Sequence, residues 1–153
     1  MRQKFYSGVG GIGLILNEVY RLYENAKAGA MEILDHYLDT STEDNEEIYW
    51  SDNSPVFFDG GNILYLLDCC NTYKELSSKL NEIIVKATNH ILNHAIDHKD
   101  GGLEIDHLHI DFKHKEPNFE FGTAGMVVAL LQIYCLEKNK NEIVGLIDDP
   151  YYK

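Results

Sequence analysis

Two groups of histidines have the spacing of metal ligands, and one of them lies in the second half of the chain. His107, His109 and Asp111 alternate with Leu108 and Ile110, so on an extended strand their side chains share one face. Imidazole and carboxylate groups bind zinc and other transition metals. The same alternation is typical of a ribbon with one wet polar face, and no second cluster completes a known ligand spacing. We therefore name His107, His109 and Asp111 as metal candidates, while favouring the solvated ribbon.

The other group is His90, His94 and His98, which recur every four residues along a predicted helix. Neutral imidazoles with this spacing on one helix can share a divalent ion. By helical angle, however, His94 falls on the same apolar stripe as Leu76 and Ile83. His98 falls at or beyond the predicted helix end. Core or surface histidines without a ligand are therefore the favoured interpretation of this group.

The cysteines and serines form no nucleophile or redox motif. Cys69, Cys70 and Cys135 contain no Cys-x-x-Cys pair and lie within apolar helical runs, so we expect buried free thiols. No serine lies in a nucleophile elbow, and no phosphate-binding G-x-x-x-x-G-K-[S/T] loop occurs. The sequence therefore gives no support for nucleophilic catalysis.

The composition is that of an acidic globular chain. Its 153 residues include 25 acidic and 13 basic side chains and carry a net charge of −12, which repels a phosphate backbone, so nucleic acid is not expected as a partner. No run approaches the roughly 18 to 20 apolar residues that span a bilayer, and the N-terminus lacks the apolar core of a signal peptide. We therefore expect a soluble, cytoplasmic protein with no membrane partner. The acidic run from Glu43 to Glu47 is interpreted as a solvated connection.

The elements that position these residues are predicted to be mostly helices. Apolar residues recur at helical spacing in segments at about 11–25, 26–38, 62–73, 74–95, 126–136 and 141–147. Residues 39–58 show no sustained period and are interpreted as a connection, and residues 98–121 are irregular, with a short extended ribbon from Leu103. The sequence predicts a single all-α domain of helical hairpins at about 11–38, 61–95 and 123–147.

Each predicted hairpin opens on glycine. The openings are Gly8-Val9-Gly10-Gly11-Ile12, Phe58-Asp59-Gly60-Gly61-Asn62 and Gly122-Thr123-Ala124-Gly125-Met126. Their last glycines, Gly11, Gly61 and Gly125, are 50 and 64 residues apart. Glycine permits close backbone approach at a helix start. The chain therefore repeats one helical-hairpin unit, although the period alone does not distinguish an open solenoid from a closed ring.

The G-x-x-G opening followed by an apolar helix, at Gly8 to Gly11 and at Gly122 to Gly125, resembles the repeat signature of lanthionine synthetase C-like (LanC-like) proteins. The second repeat keeps only the last glycine of the G-x-x-G pattern, Gly61. In that family seven helical hairpins form an α/α toroid, with inner helices that start at these glycines. The resemblance covers most of the chain and about three of the seven units. It implies part of an α/α toroid, related to enzymes that add a peptide thiol to a dehydrated Ser or Thr and so form a thioether ring.

The family's catalytic features are not matched in this sequence. Its peptide cyclases carry a zinc site built from cysteines in W-C-x-G and C-H-G motifs, and neither motif occurs here. Zinc is thus expected for the family, but no ligand is carried over. Active members also place a proton-transferring histidine just before a repeat glycine, where this chain has Phe121, whose ring cannot exchange a proton. We therefore do not expect the chain to cyclise peptides alone. The alternative is a non-catalytic repeat module that binds a peptide or a partner subunit.

Three residues are candidates for a peptide pocket at the mouth of such a toroid: Asp59, Glu120 and Phe121. Asp59 precedes Gly60 and Gly61 at a predicted inner-helix start, where N-capping is its favoured role. Glu120 lies beside Phe121 in a segment where loop solvation explains it equally well. A peptide or protein partner is expected. The uncovered apolar sides of the terminal hairpins are consistent with a homodimer, or with a complex that includes a chain supplying further repeats.

Overall fold

The fold is described from a computed structural model, and the structure describes residues 9–50, 59–97, 99–105 and 123–138. The α-helices of these residues are α1 (Val9–Leu22), α2 (Lys27–Asp39), α3 (Asp59–Thr72), α4 (Ser77–Asn93) and α5 (Thr123–Glu137). Two antiparallel pairs of short strands, β1 (Thr42–Asp44) with β2 (Glu47–Tyr49) and β3 (Ala95–Asp97) with β4 (Leu103–Ile105), follow α2 and α4. The all-α prediction is confirmed. The interpretation of residues 39–58 as a connection missed β1 and β2.

The first helical hairpin recurs 50 residues later with the same boundaries. The inner helices α1 and α3 both begin and end 50 residues apart, and so do the starts of α2 and α4. Each pair is joined by one tyrosine, Tyr23 or Tyr73, and by a 3-10 turn, Glu24–Ala26 or Lys74–Leu76, that runs directly into the next helix. The helix predicted from Lys74 therefore begins as a 3-10 turn. The spacing of the glycine openings thus corresponds to a structural repeat.

Helix α3 lies at the centre of the described helices and packs against α1, α4 and α5. Its buried residues surround the helix, as expected for a helix enclosed by neighbours, and include Ile63, Tyr65, Leu66, Leu67, Cys69 and Cys70. Helix α4 instead buries one stripe, which consists of Leu80, Ile84, Ala87, His90 and Ile91. The inner helices are therefore α1, α3 and α5 side by side, with α2 and α4 packed outside the first two.

One close approach between inner helices depends on glycine. A Cβ atom added at Gly13 of α1 would meet the ring of Tyr65 on α3 at distances that real Cβ atoms do not show. The same ring meets Tyr37 edge-on, with ring centroids 5.0 Å apart. Tyr37 in turn stacks on Trp50, whose indole Nε1 donates a hydrogen bond to the Tyr37 carbonyl at 2.9 Å. A core of aromatic rings therefore joins the first hairpin, the second hairpin and the residue after β2.

The β1–β2 pair is a tight turn that directs its second strand towards α4. Asn45 adopts a positive φ of 54° at the turn, a conformation that asparagine tolerates better than most residues. In β2 the side chain of Ile48 is buried in the core, while Glu47 and Tyr49 are half-buried and share the opposite face because side chains alternate along a strand. Glu47 and Tyr49 consequently reach the end of α4 together.

Candidate functional site

A cluster of potential metal ligands lies where β2 meets the C-terminal end of α4. Glu47, His90 and His94 each place one oxygen or ring nitrogen within 4.8 Å of the corresponding atoms of the other two. His90 lies in the last turn of α4 and His94 caps it. Glu47 is 43 residues before His90 in the sequence, and the Oε2 atom of Glu47 lies 2.8 Å from Nδ1 of His90.

The β1–β2 pair is held against the C-terminal end of α4 by polar groups spaced along one face of that helix. Lys86 pairs with Glu43, and Asn89 donates a hydrogen bond to the carbonyl of Glu46 at 3.4 Å. His90 and Asn93 follow on the same face, because residues three and four apart are neighbours on a helix. Four consecutive contacts therefore align β1 and β2 with the last two turns of α4.

Each member of the cluster is also oriented by a second group. Asn93 donates a hydrogen bond to Oε1 of Glu47 at 2.6 Å. Tyr49 stacks on the ring of His90, with centroids 4.7 Å apart and planes at 19°. The Nδ1 atom of His94 lies 2.8 Å from the carbonyl oxygen of His90. Hydrogen bonds and ring stacking from neighbouring residues therefore orient the carboxylate and both imidazoles.

The electrostatics of the cluster favour an ionised carboxylate. The hydrogen bond from Asn93 and then that from His90 hold the pKa of Glu47 below its ordinary value, because both stabilise the charged form. The side chain of His90 is only 11% exposed, that of Glu47 is 24% exposed, and His94 lies at the surface. The site is thus anchored on one side and open to solvent on the other.

A second polar cluster is buried between α1 and α3. Asn17, which is fully buried, donates from Nδ2 to Asp68 at 2.8 Å and accepts a hydrogen bond from the hydroxyl of Tyr73 at 2.7 Å. Arg21 pairs with Asp68 at the edge of the cluster and donates to Thr72 at 2.6 Å. These contacts join α1 to α3 and to Tyr73, the residue that follows α3, so the cluster fixes how the two inner helices pack.

The cysteines lie apart from the histidine cluster. Cys69 and Cys70 are buried free thiols, as predicted, whereas Cys135 is only half-buried, so that part of the prediction is wrong. Burial raises the pKa of Cys69 to about 12 and that of Cys70 to about 11. Cys69 accepts a hydrogen bond from Asn17 at 3.4 Å, and the Cys70 thiol lies 3.5 Å from the Asn81 amide oxygen. In the absence of a metal such thiols stay protonated near neutral pH.

Most of the residues predicted from sequence as site residues lie outside the described residues. These are Glu120, Phe121, His107, His109 and Asp111, together with His98. Asp59 is the first residue of α3, and its proposed pocket or capping role stays a prediction. The metal and peptide assignments of all these residues stay predictions as well.

The structure corrects the interpretation of the helical histidines. Helical angle predicts that His94 shares the apolar stripe of Leu76 and Ile83, but the side chain of His94 is exposed, and His90 is the buried histidine. The helix ends one residue before His94, so helical angle no longer fixes the direction of that side chain. The residue that sequence reasoning missed is Glu47, which was assigned to a solvated connection. The alternation of Glu47, Ile48 and Tyr49 is the only local signal of a strand that could have identified it.

The described helices define a class of protein built from repeated α-helical hairpins with their inner helices side by side. A family model described as lanthionine synthetase C-like protein matches residues 1–150. The chain therefore belongs to the LanC-like family. Comparisons with curated proteins and with solved structures gave no match. Among the residues that the structure describes, no helix is long and apolar enough to cross a membrane. The cytoplasmic location stays a prediction.

The zinc that the family implies does not fit Cys69 and Cys70. Both thiols are buried, and their sulfur atoms contact different neighbours, Asn17 and Asn81. The group of three potential metal ligands found within the described ranges contains no cysteine. No reaction step of the family's zinc is therefore derived for this chain.

Proposed function

We propose that the chain is a non-catalytic LanC-like repeat module that binds further helical hairpins at its two open edges. A second copy of the chain is the simplest source of these hairpins. A peptide-modifying site of the kind that the family name implies would form only in the completed assembly.

The observation that carries this proposal is an apolar stripe left exposed on α1. The stripe consists of Ile12, Ile15, Val19, Leu22 and Tyr23. The 50-residue repeat relates Ile15 to Tyr65 and Tyr23 to Tyr73. In each pair the first residue is exposed and the second is buried. Ile15 is 58% exposed and Tyr23 is 65% exposed, whereas Tyr65 and Tyr73 are fully buried.

The contacts of Tyr65 and Tyr73 indicate what would cover the equivalent stripe. Tyr65 packs on Gly13 of α1, and Tyr73 stacks on Tyr20 of α1 at 5.8 Å between centroids. In other words, α1 covers the face of α3 that corresponds to its own exposed stripe. The partner of the α1 stripe is therefore expected to be an inner helix of the same type.

The other edge is formed by α5. Its start at Thr123 lies 114 residues after the start of α1, and the exposed apolar residues among those whose burial the structure describes are Val127, Leu131 and Tyr134. At the same offset in α1 stand Gly13, Asn17 and Tyr20, the residues that contact α3 or Tyr73, which directly follows it. The exposed face of α5 thus corresponds to the face of α1 that the next inner helix covers. Repeat proteins stack their units by covering such faces in order.

The sequence supports the non-catalytic part of the proposal. The zinc motifs of the cyclases are absent, and Phe121 stands where a proton-transferring histidine precedes a repeat glycine in active members. We therefore expect the purified chain to leave a dehydrated, thiol-bearing peptide unchanged. Formation of a thioether by the chain alone, seen as loss of free thiol without change of peptide mass, would contradict this part.

The edge contacts are tested by the mass of the chain in solution over a range of concentrations. Ile15→Gln with Leu22→Gln alters the α1 stripe at two exposed positions, and Val85→Gln is the matched control because Val85 is 54% exposed on α4, away from both edges. We expect the wild type and V85Q to self-associate and the double variant to remain a monomer. A monomeric wild type, or equal association of all three proteins, would contradict the proposal.

A further inference from the structure

We propose that Glu47, His90 and His94 form a binding site for a divalent transition metal, with zinc as the preferred ion. The site joins β2 to the end of α4. This inference does not depend on the proposed edge contacts, and it concerns neither the family's cysteine motifs nor His107, His109 and Asp111.

The donor set and its spacing suit this ion. Two imidazoles and one carboxylate are ligands that zinc takes in proteins, with a further position left for water. Bonds of about 2.0 to 2.2 Å place the ligand atoms of a tetrahedral site roughly 3.3 to 3.6 Å apart. In the structure the candidate atoms all lie within 4.8 Å of one another. Small side-chain rotations are therefore enough to close the site around an ion.

The groups that orient the ligands are those usual around a metal. A metal-binding histidine commonly donates its other ring N–H to a backbone carbonyl or a carboxylate, which fixes the ring and its tautomer. Nδ1 of His94 lies 2.8 Å from the carbonyl oxygen of His90, an arrangement that turns Nε2 of His94 away from the helix. The side-chain amide of Asn93 donates a hydrogen bond to Oε1 of Glu47 at 2.6 Å.

A contact between β2 and α4 without a metal ion accounts for fewer features of the cluster than a metal site does. An ion pair or hydrogen bond between Glu47 and His90 needs only those two residues. The structure adds His94, whose ring centroid lies 4.4 Å from that of His90, and it leaves this side of the cluster at the surface. A shared cation accounts for two imidazoles and a carboxylate converging at an accessible point.

The test is a calorimetric titration of the metal-free full-length chain with Zn²⁺, repeated with Co²⁺ so that its visible absorption reports the ligand geometry. We expect one ion per chain and a melting temperature that rises with metal. His94→Gln removes one ligand but keeps the contact of Glu47 with His90, and we expect at least about a tenfold loss of affinity. Loss of the hydrogen bond between His94 and the His90 carbonyl should lower the unfolding midpoint of metal-free H94Q only slightly relative to the metal-free wild type.

Two control variants assign the ion to this site. His36→Gln alters an exposed histidine on α2 that is not a member of the cluster, and His107→Gln with His109→Gln removes the sequence-predicted ligands. Both should bind Zn²⁺ as the wild type does. A wild type that takes up no Zn²⁺, an H94Q variant with wild-type affinity, or loss of binding in the His107/His109 variant alone would each overturn the proposal.

Discussion

Replacing Gly13 by alanine tests how closely α1 and α3 must approach. The added Cβ would overlap the ring of Tyr65, which is itself fully buried and cannot move into solvent. Overpacking of a core by a methyl group costs about 1 to 3 kcal/mol. Alanine also favours a helix over glycine by about 0.5 to 1 kcal/mol. The net expectation is a protein less stable than the wild type by up to about 2.5 kcal/mol.

Gly29 provides a matched control on α2, since a Cβ added there meets no atom within 4 Å. Gly29→Ala should stabilise the chain by about 0.5 to 1 kcal/mol through helix propensity alone. The propensity gain is common to both variants, so the difference between their free energies of unfolding isolates the clash and should be about 1 to 3 kcal/mol. Urea unfolding followed by far-UV circular dichroism measures it. Equal stability of G13A and G29A would refute the close approach.

Three further outcomes follow from buried and paired polar groups. Asn17→Ala leaves Asp68 and Tyr73 without their partner, so we expect a loss of about 2 to 3 kcal/mol in urea unfolding; a loss near zero would contradict the buried network. Because the folded pKa of Glu47 is lowered, its stabilising effect is present above the unfolded value of about 4.3 and is lost as pH falls through the folded pKa. The melting temperature of Glu47→Gln should therefore depend less on acid than that of the wild type, and an identical acid profile would contradict this. Burial raises the pKa of Cys69 to about 12 and that of Cys70 to about 11, so both thiols should react with a thiol reagent only after unfolding. Rapid labelling of either in the native chain would count against their burial.

The helices were predictable from sequence because their signals are local. Apolar residues at helical spacing, such as Leu80, Ile84, Ala87 and Ile91, mark the buried stripe of α4 without reference to the rest of the chain. The spacing of Gly11 and Gly61 matched the 50-residue offset of the structural repeat. Tyr23 and Tyr73 extend that repeat to the joint between the helices, just beyond the ends of α1 and α3.

The candidate metal site was less predictable because its parts come together only in the tertiary structure. The spacing of His90 and His94 was visible, but a pair of helical histidines is a weak signal without a third ligand. Glu47 lies in an acidic run that resembles a solvated loop, and strands of three residues are too short for alternation to be decisive. Contacts between distant segments, such as that of Lys86 with Glu43, decide the position of Glu47.

Among the described residues the exposed stripes of α1 and α5 are not equivalent, and this difference constrains the proposed assembly. The α1 stripe corresponds to the face that receives a preceding inner helix, and the α5 stripe to the face that receives a following one. A two-fold dimer pairs like with like and would leave one kind of edge uncovered. Contact of α1 in one copy with α5 in the next is heterologous, so it ends either in a closed ring, which covers every edge, or in an open filament. A single defined mass in solution that is abolished by altering either α1 or α5 therefore indicates a ring, whereas a mass that grows with concentration indicates an open chain of copies.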